Sequence, residues 1–188
     1  MKIFNLFPSF LLTEELNLNL SKIKKHCLII QKKSEGRFRT NPTGFQSNDL
    51  KLDDVFKEVV DSMEPSLESF FDQYKINKTL KLSNFWFNIN GYKDYNRTHD
   101  HPYSLISGVF YIDVNKDSGD IMFHNPQQPG LYDKGLTSVS ERNTFNSKIW
   151  RVSPTKNLLL LFPSWLFHSV EPNLSKKNRI SMSFNFHT

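Results

Sequence analysis

At 188 residues the chain is long enough for one domain with a substantial core, and its 17 phenylalanines point to a core of large flat side chains. A net charge of +5 and a pI near 9.2 suit a soluble chain, but the lysines are scattered and form no basic block, which argues against nucleic acid as the main partner. No apolar run approaches the ~20 residues needed to span a bilayer, and the single cysteine, Cys27, excludes an internal disulfide, so a cytoplasmic protein without a membrane partner is expected.

The segment Met1–Leu12 has one lysine and an apolar stretch, but Pro8 interrupts it and no small-residue cleavage site follows, so it reads as a first strand. From Glu14 to about Lys33, Leu16, Leu20, Ile23, Cys27 and Ile30 recur at helical spacing, which places Cys27 on an apolar stripe as a buried thiol. A turn-rich loop runs to Gly44. A second helical pattern spans Leu52 to Tyr74, and Pro65 is expected to kink or split it. After Asn77 the pattern changes to strand. Short aromatic-rich runs around Leu80–Phe87, Leu105–Ile112, Ile121–Phe123, Leu158–Phe162 and Ile180–Phe186 are separated by Gly, Pro, Asn and Asp. Helices followed by many short strands predict a mainly β domain, a jelly-roll or cupin-like sandwich with N-terminal helices packed on it. The expected division is a helical part at about 13–75 and a β core at about 79–187, within one domain of 1–188. The polar stretch Asn125–Lys148 reads as a long functional or disordered loop.

The residues that carry chemistry lie in the β part. On a strand, His99 and His101 share a face while Asp100 faces away, and His168 at the end of another apolar run offers a third imidazole. Neutral imidazoles suit iron, zinc, copper or nickel. The plainer alternative is a pair of polar loop residues before Pro102. Arg179 and Ser181 share a face of the last strand, where a guanidinium and a hydroxyl can hold a carboxylate. There the plainer alternative is a structural salt bridge with an acid such as Glu171. Together these residues suggest a metal site beside a 2-oxo-acid pocket.

Several motifs resemble the 2-oxoglutarate- and Fe(II)-dependent oxygenases, and among them a small family common in marine bacteria and their phages. They are Asn41-Pro42-Thr43-Gly44-Phe45-Gln46-Ser47, Trp86-Phe87-Asn88-Ile89-Asn90, His99-Asp100-His101-Pro102 and Leu105 to Tyr111, then Leu161 to His168 and Arg179 to Asn185. The resemblance implies a double-stranded β-helix core whose open end binds Fe(II), with His168 as the distal ligand. It also implies that Arg179 and Ser181 hold the far carboxylate of 2-oxoglutarate, with Tyr111 touching the same group. The wider superfamily carries His-x-Asp or His-x-Glu at the first site. Here the second position is His101, as in the small family, so His99, His101 and His168 are the expected metal ligands. The implied activity is hydroxylation with 2-oxoglutarate and O2 as cosubstrates and succinate and CO2 as products; the substrate stays open between a free amino acid, a peptidyl side chain and, given the basic surface, an acidic or nucleotide compound. The stretch Asn125–Lys148 could then close over that substrate. A cupin-like module that binds metal or a small acid without turnover is the alternative. A nucleic-acid-binding β-barrel ranks last, because the aromatics alternate as core residues do.

Overall fold

The computed structural model describes residues 1–76, 80–127 and 140–188. Its strands are apolar on alternate residues, and in the central ones both alternating sets are buried. In β8 (Leu158–Pro163), Leu159 and Leu161 face one apolar cluster while Leu160 and Phe162 face another. The same holds for β5 (Ile106–Asp113), where Phe110 and Ile112 oppose Val109 and Tyr111. A strand buried on both faces reads as a continuous apolar run, which is why these two were plain in the sequence.

Eight strands make the core. One sheet holds β3 (Lys81–Asn90), β10 (Arg179–His187), β5 and β8 in that order, with β2 (Phe45–Gln46) beyond β3 and β1 (Leu12–Glu15) beyond β8. The other sheet runs β4 (Asn96–His99), β9 (His168–Val170), β6 (Ile121–His124), β7 (Ile149–Val152). All the pairings are antiparallel. The chain passes back and forth between the sheets, which makes the core a double-stranded β-helix of the expected jelly-roll class.

The helices cover the outer face of the larger sheet. Helix α1 (Leu20–Gln31) is capped by Asn19, whose side chain accepts from the Lys22 N–H, and it buries Ile23 and Cys27. Helices α2 (Asp54–Asp61) and α3 (Glu64–Tyr74) follow. Pro65 splits the long helical pattern as expected, because proline at the first turn of α3 loses no internal hydrogen bond. Phe56, Val59, Met63 and Phe70 pack on Phe85, Phe87, Met182 and Phe184. Burial pushes the Cys27 thiol up to about 12, so it is an inert core residue.

Two readings need correction. The first strand is not Met1–Leu12: strand pairing begins at Leu12, and Ile3, Phe4, Leu6 and Phe7 are exposed. The first helix starts at Leu20 instead of Glu14, because Glu14 and Glu15 pair with Leu159 and Leu158. Half of the proposed closing loop Asn125–Lys148, residues 128–139, lies outside the described residues. No helix among the described residues is long and apolar enough to cross a membrane.

Candidate functional site

The pocket between the sheets is built by cross-strand register. On the larger sheet, Ser181 lies opposite Asn88 on one side and Tyr111 on the other, and Arg179 lies opposite Asn90. On the smaller sheet, His99 lies opposite His168, which is itself opposite Phe123. Residues directly opposite share a face. His99, His168, Tyr111, Arg179 and Ser181 therefore line a single pocket, which His101 joins from beyond the end of β4.

The three imidazoles converge. Each offers one ring nitrogen, and these atoms lie within 4.8 Å of one another. Ring centroids are 4.3 Å apart for His99 and His168, 5.0 Å for His99 and His101, and 5.1 Å for His101 and His168. Strand β4 ends at His99, so the pleat does not place His101. His101 is held instead by its backbone N–H, which donates to the Ser164 carbonyl at 2.9 Å. His99 Nδ1 faces the Arg97 carbonyl at 2.7 Å and His168 Nδ1 the Leu166 carbonyl at 2.9 Å. A carbonyl only accepts, so Nδ1 carries the proton in both rings and each Nε2 keeps its lone pair. Burial lowers all three pKa values: His101 falls to about 3, with His99 adding to the fall, and His168 drops well below the ordinary range. For His99, burial outweighs the opposing pull of the Arg97 carbonyl and Asp100. Three neutral imidazoles, two of them with tautomers fixed by carbonyls, suit a divalent transition metal. No carboxylate belongs to the cluster among the described residues, and Asp100 stands outside it.

Arg179 is 1% exposed, and burial lowers its pKa although a guanidinium stays charged. Its Nη1 donates to the carbonyls of Ser118, Gly119 and Glu171. Its Nη2 is buried with no partner. The salt bridge to Glu171 does not form: that carboxylate takes Arg151 Nε at 3.2 Å and the Asp120 N–H, leaving only its backbone carbonyl to Arg179. A buried cation held on one side and open on the other is suited to an anionic ligand. Tyr111 lies beside it, and burial raises its phenol well above the usual range, so it stays a neutral donor.

Sequence reasoning missed part of the wall. Trp86 lies 5.7 Å from the His101 ring, and Asn88, Asn96 and Thr40 also line the pocket. The signal was present in Trp86, Asn88 and Asn90 at every second position of an apolar strand. Thr40 is positioned by its carbonyl, which accepts from the Arg97 N–H at 2.9 Å.

No curated protein sequence matches the chain. Among solved structures, a prolyl-4-hydroxylase from Pseudomonas putida is similar at TM-score 0.66 and 12% identity, over 94% of this chain and 91% of that one. HygX from Streptomyces hygroscopicus, with nickel and 2-oxoglutarate bound, is similar at 0.66 and 12%, over 95% and 82%. A prolyl hydroxylase from Trichoplax adhaerens, in complex with a hypoxia-inducible-factor peptide fragment, is similar at 0.63 and 13%, over 94% and 82%. At such identities these likenesses speak for the fold alone. The family model described as "Putative 2OG-Fe(II) oxygenase" matches residues 84–185, more than half of the chain and nearly all of the β core, and so the chain belongs to the 2-oxoglutarate- and Fe(II)-dependent oxygenases.

Proposed function

We propose that the chain is a hydroxylase acting on an amino-acid side chain, free or within a peptide, and that it works as one domain over residues 1–188. In this reading His99, His101 and His168 hold the Fe(II), while Arg179, Ser181 and Tyr111 hold 2-oxoglutarate. One juxtaposition carries it: three neutral imidazoles share a pocket with a buried guanidinium whose Nη2 has no partner. The peptide complex of the Trichoplax adhaerens enzyme supports the substrate class.

When bound, Fe(II) with the oxo acid and O2 supplies the oxidising chemistry, and the oxo acid leaves as succinate and CO2. The chain's own residues orient and shield. The carbonyls of Arg97 and Leu166 keep Nε2 of His99 and His168 free of protons, so no proton must leave before these rings ligate. The carbonyls on Nη1 fix the Arg179 guanidinium, which anchors one end of the dianion and directs its other end toward the imidazoles. Val109, Ile121, Phe162 and Val170 form dry walls between the two ends.

The test is an anaerobic mixture of the protein, Fe(II) and 2-oxoglutarate. A weak visible charge-transfer band is expected, and admission of air should then yield succinate even without substrate. A band with no succinate after air would favour a metal- and acid-binding module without turnover. Hydroxylated product from a panel of amino acids and peptides, read by mass spectrometry, tests the substrate class.

A further inference from the structure

Of the three imidazoles only His101 lies off a strand, and its place is set from two sides. Its backbone N–H donates to the Ser164 carbonyl, and its ring stands 5.7 Å from Trp86. A run of polar side chains joins those two contacts. Asn185 on β10 lies opposite Asn84 on β3 and Ser107 on β5, one row beyond the pocket-lining row of Trp86, Ser183 and Val109. Ser107 Oγ donates to Asn185 Oδ1 at 2.8 Å, so in its 2.8 Å contact with Ser164 Oγ the donor is Ser164. Asn185 Nδ2 donates to Asn84 Oδ1 at 3.0 Å, and Asn84 Nδ2 to Asp49 Oδ1 at 3.3 Å. Asp49 also accepts from Arg37 Nη2 at 2.7 Å, and the Arg37 guanidinium lies over the Trp86 ring at 5.7 Å.

All the donors point one way, from Ser164 to Asp49. A carboxylate only accepts, so Asp49 fixes the amide orientation of Asn84 and, through it, that of Asn185. Ser107, Ser164 and Asn185 are buried, and hydrogen bonds in such a chain strengthen one another where water is excluded. Exchanging paired polar groups for apolar ones of the same shape can be nearly neutral for stability, so holding the sandwich together does not account for the run. Its two ends do. One grips the His101 backbone, and the other, through Arg37 and Trp86, flanks the His101 ring. We propose that Ser164, Ser107, Asn185, Asn84 and Asp49 form a ladder that positions His101 for the metal. It does for His101 what strand pairing does for His99 and His168. The five are positioning residues and touch no metal, and their role rests on His101 being one of the three ligands.

The experiment titrates the full chain with Co(II) in place of iron and follows the visible absorption of the bound ion. Ser107→Ala breaks the ladder at its middle and should weaken Co(II) by about 10–100-fold, the usual cost of losing the support behind a ligand. Its spectrum at saturation should move toward that of His101→Ala, as expected when one nitrogen ligand is lost. A fold that is merely loosened would leave the saturated spectrum as in the wild type. Ser164→Ala should behave alike, and combining it with Ser107→Ala should cost nothing further, because both remove the same link. Where Ser107→Ala folds poorly, Asn84→Ala at the half-buried end replaces it, with a loss of about fivefold for one neutral hydrogen bond. On a His101→Ala background none of these changes should alter Co(II) affinity, since each acts through that imidazole. Unchanged affinity in Ser107→Ala, or in Asn84→Ala where that replaces it, would overturn the proposal. So would a loss with an unshifted spectrum, or a loss that persists without His101. If His101→Ala itself keeps the wild-type affinity and spectrum, the ligand assignment has failed, which is a different result from a silent ladder.

Discussion

At the scale of single residues, the three-imidazole cluster makes the sharpest claim. His168→Ala should abolish iron retention, because no other imidazole reaches the cluster from β9, whereas His187 is exposed at the end of β10 and its replacement by Ala should leave iron content unchanged. His99→Ala and His101→Ala should each cut occupancy sharply, with Asp100→Ala mild. Occupancy must be measured at limiting iron, since outer-shell changes alone cost roughly 10–100-fold in affinity. Iron retained in His168→Ala but lost in His187→Ala would move the distal ligand. Arg179→Lys keeps the charge but cannot serve three carbonyls and a ligand together, so 2-oxoglutarate affinity should fall by about one to two decades. Calorimetric titration checks it, and an unchanged affinity would place the carboxylate elsewhere. His168 and Arg179 were legible because their side chains have little reason to adjoin apolar runs, and His99 and His101 because two imidazoles two residues apart can share one ligand. The geometry of His101 was not. A regular pleat through position 101 would place it, but the strand stops at His99 and a tertiary hydrogen bond to Ser164 takes over. Asn88 and Asn90 were passed over because asparagine is common in this chain, and they are set apart by unpaired amides on the strand face that carries the pocket.

At the scale of elements, β5 meets β8 so closely that side-chain size is limited. A Cβ on Gly108 would lie 2.7 Å from Leu161 Cδ2 and 3.0 Å from the Leu160 carbonyl. Gly108→Ala should therefore destabilise the protein by about 1–3 kcal/mol, read by urea denaturation, while a neutral result would mean that β8 shifts freely. Helix α1 is tied to β5 by Lys24, which with Lys156 flanks Asp113. Burial tends to raise the Asp113 pKa, but the two lysines together bring it below the usual carboxylate value. A depressed carboxylate stabilises the fold above its unfolded pKa and loses that contribution as pH falls through its folded one. Both lysines are substantially exposed, so the contribution is small, up to about 1 kcal/mol. Asp113→Asn should lower stability near neutrality and flatten its decline below about pH 4; identical acid limbs for the two proteins would remove the ion pairs from the account. The long apolar strands were readable from sequence because each buries two faces. Strands β7 and β9 were not: β9 spans only His168–Val170, and β7 (Ile149–Val152) leaves Trp150 41% exposed, so neither carries an apolar pattern of its own. Their pairing with β6 and β4 is decided by the sandwich as a whole.

At the scale of the molecule, helices before strands were enough to predict a sandwich with helices on one face, while the order of strands within each sheet rests on long-range pairing that local pattern does not encode. The Arg179 guanidinium has a role at this scale too. It is rooted in the larger sheet, yet its Nη1 is tied to main chain leading into β6 (Ser118, Gly119) and out of β9 (Glu171), on the smaller sheet. It works as a rivet between the sheets with one end unfastened, since Nη2 has no partner. A dianion that fastens that end binds only the assembled sandwich, so cosubstrate and fold hold each other by mass action. At about 100 times its Kd, such a ligand adds roughly 2.7 kcal/mol. For a domain of this length that corresponds to a rise in melting temperature on the order of 5–10 °C. The rise should shrink at the same concentration in Arg179→Lys. Equal rises in both proteins would show that the sheets are joined elsewhere.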